Sequence, residues 1–107
     1  MVSIKIYKNQ ESFTGFDCSG HAGYAECGYD IVCAAVSMLV INTINSIEKY
    51  TQTEMQVSTD ERSGKITVRF PMKPEKDAEL LLNTMILGLN STKQQYSDYI
   101  KIVYKEG

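Results

Sequence analysis

The 107-residue chain has a single histidine, His21, so every role that needs an imidazole falls on that one residue. Cysteine is scarce too: Cys18, Cys27 and Cys33 are an odd number, which argues against a disulfide framework. Long apolar runs are missing. The longest, Ile31–Ile41, is short for a bilayer span and is interrupted by Ser37. No signal peptide is expected at the start, because Met1–Tyr7 alternates instead of forming an apolar block. A basic excess is also lacking. At a net charge of −2, strong attraction to nucleic acid is not expected, and recognition of protein is. No linker, low-complexity stretch or strong repeat divides the chain, so residues 1–107 are expected to form one domain. These absences describe a cytoplasmic protein in a reducing compartment, with neither membrane nor nucleic acid as a direct partner.

What is present alternates between two periods. Val2, Ile4 and Ile6 alternate with polar neighbours, as a half-buried strand does. After a polar turn, Phe13–Ser19 reads as a second strand with Thr14, Phe16 and Cys18 on one face. A helix is expected from about Asp30 or Gly28 to near Tyr50, with Asp30 a natural N-cap. Ile31, Ala34, Ala35, Met38, Val40 and Ile41 cannot all face one sheet, so a second helix or a second subunit is expected over the surplus. Thr53–Thr59, with Met55 and Val57 inward, and Lys65–Phe70 form a second hairpin around Asp60–Gly64. Pro71 and Pro74 bracket a short connection. Glu75–Gln95 is a second helix whose broad apolar face carries Leu80, Leu81, Met85, Leu87 and Leu89. Tyr99–Tyr104 closes the chain as a strand with Ile100 and Ile102 inward. The order ββαββαβ predicts an α+β domain: a mixed or antiparallel sheet with both helices layered on it.

The chemistry concentrates in Gly20–Ser37, GHAGYAECGYDIVCAAVS. Gly20–Gly28 has three glycines, Gly20, Gly23 and Gly28, and no periodicity, so it is read as a mobile loop that receives substrate. His21 titrates near neutrality, which suits a general base. Cys33, three residues past the expected N-cap, is placed in the first helical turn, where unpaired N–H groups favour a thiolate. Bland readings compete: free cysteine is often simply buried, and a loop histidine is often simply exposed. Asp30 has two open roles, as a cap or as an auxiliary group orienting His21, although a carboxylate near Cys33 opposes thiolate formation. Cys18, His21, Cys27 and Cys33 are poorly spaced for zinc, with only one tight pair, so neither metal nor cofactor is expected. The glycines lack the lysine of a P-loop and the G-x-G-x-x-G pattern.

Gly20-His21-Ala22 followed by Gly28-Tyr29-Asp30-Ile31-Val32-Cys33-Ala34-Ala35-Val36-Ser37 resembles the signature of the ribosomal-processing cysteine proteases (Prp). The resemblance implies a bacterial homodimeric endopeptidase that removes the N-terminal extension of a large-subunit ribosomal protein precursor. It also implies that His21 and Cys33 form the catalytic dyad. The alternative from another class is a non-enzymatic, ribosome-associated interaction module with Gly20–Gly28 as its binding loop and Cys33 in its core.

Overall fold

The computed structural model describes residues 1–20, 27–60 and 62–107, with the backbone alone for 27–30. Seven elements follow the expected order: β1 (Val2–Lys8), β2 (Phe13–Ser19), α1 (Cys27–Tyr50), β3 (Gln56–Asp60), β4 (Lys65–Arg69), α2 (Lys76–Gln95) and β5 (Ile100–Glu106). The sheet is mixed, in the order β3-β4-β2-β1-β5. β5 runs parallel to β1, and the other three pairings are antiparallel.

Strand alternation sends Val2, Ile4, Ile6, Phe16, Cys18, Ile66, Val68 and Ile100 to one side, into a single buried cluster with the helices. α1 contributes Val32, Val36, Val40, Ile44 and Ile47, spaced by three or four residues along one stripe. α2 contributes Ala78, Leu82, Met85 and Leu89 in the same rhythm. Each fully buried large side chain in this cluster stabilises the fold by roughly 1.5–3 kcal/mol. The helices meet where Gly88 faces Leu39: a Cβ on Gly88 would stand 2.8 Å from Leu39 Cδ2. At the start of α2, the Glu75 carboxylate accepts the Gln52 N–H at 2.7 Å, and the Glu75 N–H donates to Thr53 Oγ1 at 3.0 Å. These bonds fasten the chain leaving α1 to the head of α2.

Four details depart from the sequence expectations. β3 begins at Gln56, and Val57 is exposed: this is the sheet edge, and the helices do not reach over it. Met55 is partly buried against the core, just before the strand. On α2, Leu80 and Leu87 are exposed, because the buried stripe is set by Ala78, Leu82, Met85 and Leu89, and two-residue offsets fall on the far side. In the β1–β2 pairing the register shifts between Tyr7 and Lys8, which face Gly15 and Phe13, and Phe13 is buried together with Phe16. Finally, α1 starts at Cys27, ahead of Asp30, so Asp30 is its fourth residue and not its cap, and Gly28 belongs to the helix.

α1 also outgrows the apolar run seen in sequence. Ile31–Tyr50 is long and apolar enough, by length and composition, to cross a membrane. Its Val32-to-Ile47 stripe is buried in the common core, as in the central helix of a globular domain. The opposite side leaves Ile31, Met38 and Ile41 exposed, so the expected surplus of apolar surface is real.

Candidate active site

Two thiols are described, and their environments differ sharply. Cys18, opposite Ile4 and Ile66 on β2, is fully buried. Burial, with a smaller contribution from nearby Cys33, pushes its thiol up to about 12. It therefore stays protonated and shielded at neutral pH, as expected for a core residue. Cys33 is the seventh residue of α1, next to Val32 of the stripe that anchors the helix. It is half-buried, resting against the core while still reaching solvent. A thiol held on a rigid, core-anchored helix with one side open is positioned to attack a docked carbonyl.

The longer helix changes the electrostatics expected for Cys33. The unpaired N–H groups and the dipole's influence are confined to the first turn. Cys33 lies in the second turn, so the helix start does not supply its activation, and an adjacent base becomes more important.

Gly20 fixes where the connection to α1 begins. Its φ of +84° is one that side-chain-bearing residues rarely adopt. A Cβ there would collide with the Met1 carbonyl oxygen and stand 3.4 Å from Val2 Cα. Val2 N–H in turn donates to the Tyr99 carbonyl at 2.9 Å. The chain thus leaves β2 against the paired starts of β1 and β5. His21 and Gly23 lie outside the described residues, as do the side chains of Cys27 and Asp30. The His21–Cys33 contact, the auxiliary role of Asp30, the loop reading of Gly20–Gly28 and the four-residue zinc set all depend on them. Among the described residues, no three His, Cys, Asp or Glu side chains gather as metal ligands.

Sequence reading missed a polar cluster on the sheet face away from the helices. Arg69 Nη1 donates to Asp17 Oδ1 at 2.8 Å, and the Tyr7 hydroxyl donates to Asp17 Oδ2 at 2.9 Å. The Arg69 guanidinium lies 4.6 Å from the Tyr7 ring centroid. Burial opposes ionisation of Asp17, but the hydrogen bonds from Arg69 and Tyr7 outweigh it and hold the carboxyl below its ordinary value. The Tyr7 hydroxyl is raised, first by that hydrogen bond to Asp17 and then by burial. Arg69 is raised chiefly by its bond to Asp17. These residues lie ten and 52 positions apart, and the only sequence signal was a charge at an outward strand position.

A five-stranded α+β domain with an accessible helical cysteine, set against a sealed one, fits the class of small cysteine proteases. Residues 1–101 match the family described as cysteine protease Prp, and the chain belongs to that family. It is 30% identical to the ribosomal processing cysteine protease Prp of Staphylococcus aureus strain Mu50, over 98% of this chain and all of that protein. It is also 30% identical to the Bacillus subtilis strain 168 protein of the same name, over 95% of this chain and 96% of that one. The solved S. aureus Prp in complex with a substrate peptide superposes with a TM-score of 0.92 at 29% identity, covering 98% of this chain and all of that one. S. aureus Prp with a covalently linked product peptide superposes at 0.88, with 30% identity and the same coverage. The protein is a cysteine protease, and the interaction-module alternative is set aside.

Proposed function

We propose that this protease removes the N-terminal extension of a large-subunit ribosomal protein precursor, the twenty-seventh of that subunit, using Cys33 as nucleophile and His21 as base. The observation that carries the reading is the contrast between the two described thiols: Cys33 reaches solvent from an anchored helix, and Cys18 does not. Cys33 Sγ attacks the scissile carbonyl carbon, forming a thioester as the C–N bond breaks. His21 takes the thiol proton and returns it to the departing amine. Water then cleaves the thioester and restores the thiol. A base delivered from the segment between Gly20 and Cys27 couples chemistry to docking of the correct peptide. The cytoplasm, where thiols stay reduced, suits this chemistry.

We further propose that the active form is a homodimer joined through the exposed Ile31, Met38 and Ile41 of α1, which a second copy would remove from water. The function is tested by incubating the purified enzyme with the precursor and, separately, with casein, then reading both by mass spectrometry. One cut in the precursor and an intact casein are expected. An uncut precursor, or casein degraded at least as fast, overturns the substrate assignment.

A further inference from the structure

We propose that the helix-free face of the sheet binds the phosphate backbone of RNA. Strand register sets its composition. One row reads Gln56, Arg69, Gly15, Tyr7 and Lys105 across the five strands, and the next reads Ser58, Thr67, Asp17, Lys5 and Val103. Asp60 and Lys65 are opposite each other, as are Ser19 and Ser3, and Ser3 and Lys101, all on the same face. This face carries five cations, Lys5, Lys65, Arg69, Lys101 and Lys105, against two carboxylates, Asp17 and Asp60. It is therefore net positive, whereas the whole chain is −2. A whole-chain charge hides this segregation, and with it the sequence argument against nucleic acid loses its force.

The charges are also available. Arg69 is taken up by Asp17, and that is the only ion pair among the described residues. Lys5, Lys65, Lys101 and Lys105 are all exposed. Lys5 is paired with Val103, so Lys101 and Lys105 flank it diagonally at roughly 8 Å, given strand rise and spacing. Long, rotatable lysine stems suit a run of phosphates better than a fixed carboxylate geometry.

Two features favour an RNA backbone over an acidic protein. A protein interface needs buried apolar anchors. The strands' exposed large hydrophobics, Val57 and Tyr104, pair with Val68 and Ile6 and so lie on the helix side. Base stacking is also disfavoured, because Tyr7 is covered by Arg69 and tied to Asp17. What remains is a sequence-independent, electrostatic surface on the opposite side of the sheet from Cys33.

The test is fluorescence anisotropy of a 20-nucleotide mixed-sequence single-stranded RNA titrated with the full-length protein at several salt concentrations. Four lysines predict a log–log salt slope of about −3 and a loss of roughly 50-fold between 50 and 200 mM salt. Lys5→Ala with Lys101→Ala and Lys105→Ala should bring the slope to about −1, while cleavage of a short precursor peptide stays unchanged. A second RNA of different sequence should bind equally. No binding at 50 mM salt, a slope indifferent to the triple substitution, or equal affinity for a poly-glutamate peptide would overturn the proposal. None of these outcomes depends on the protease substrate.

Discussion

Gly20 and the Met1 carbonyl oxygen are in such close approach that no side chain can be added between them. Gly20 also holds a φ of +84°, which costs other residues about 1–2 kcal/mol. Strain and collision act together in Gly20→Ala. It should lower the melting temperature by several degrees and reduce peptide cleavage, since the chain that leads to His21 departs from this point. Calorimetry and a peptide assay on the same preparation check it. An unchanged melting temperature would show that the β1–β2 end is less rigid than described.

The Arg69–Asp17 pair gives the fold a defined acid response. The Asp17 carboxyl is depressed below 3.8 in the folded state, so its contribution is fully present above that value. It is lost as pH falls through the lower, folded value. Arg69→Met leaves a mostly buried carboxylate without its guanidinium. With the Arg69 side chain 41% exposed, solvent screening reduces the cost to about 1–2 kcal/mol at pH 7. Urea midpoints measured from pH 7 to pH 2 should converge with those of the unmodified protein at the acid end. A penalty that persists undiminished at pH 2 would mean that packing, not charge, is what Arg69 supplies.

Substitutions at the two described cysteines should separate structure from chemistry. Cys18→Ser places a hydroxyl in the apolar core and should destabilise by about 1–3 kcal/mol while leaving kcat largely intact. Cys33→Ala, at a half-buried site, should keep the fold and abolish cleavage. Because Cys33 is in the second turn, His21→Ala should also abolish cleavage and slow alkylation of Cys33 at neutral pH. Persisting activity in His21→Ala would assign the base to another group.

Assembly can be broken at one position. Met38 is 71% exposed at the centre of the uncovered α1 surface, so Met38→Glu should dissolve a dimer without unfolding the monomer. Sedimentation at micromolar concentration, with circular dichroism alongside, decides this. Monomeric unmodified protein would remove the proposed dimer.

Much of this was legible in sequence because the signals were local. Alternation from Val2 to Ile6 and from Lys65 to Phe70 each points to one face, whereas α1 is apolar on so many sides that its buried stripe, Val32, Val36, Val40, Ile44 and Ile47, did not stand out. Asp30 was misleading: a good capping residue was present, but the helix had already begun at Cys27. Val57 misled for another reason, since periodicity shows which side a residue faces and not whether anything covers that side, whereas Leu87 was read into too broad a face and lies on the far side of the stripe set by Met85 and Leu89. The Tyr7–Asp17–Arg69 cluster and the lysine face were invisible because they depend on register between strands distant in sequence.

The central claim is that Cys33 is the attacking thiol. Its most direct test is a peptide spanning the precursor's cleavage junction and ending in an electrophile, reacted with native enzyme and mapped by mass spectrometry. One adduct per chain, on Cys33 and lost in Cys33→Ala together with precursor cleavage, is the predicted result. An adduct on Cys18 or Cys27, or precursor cleavage by purified Cys33→Ala, would contradict it.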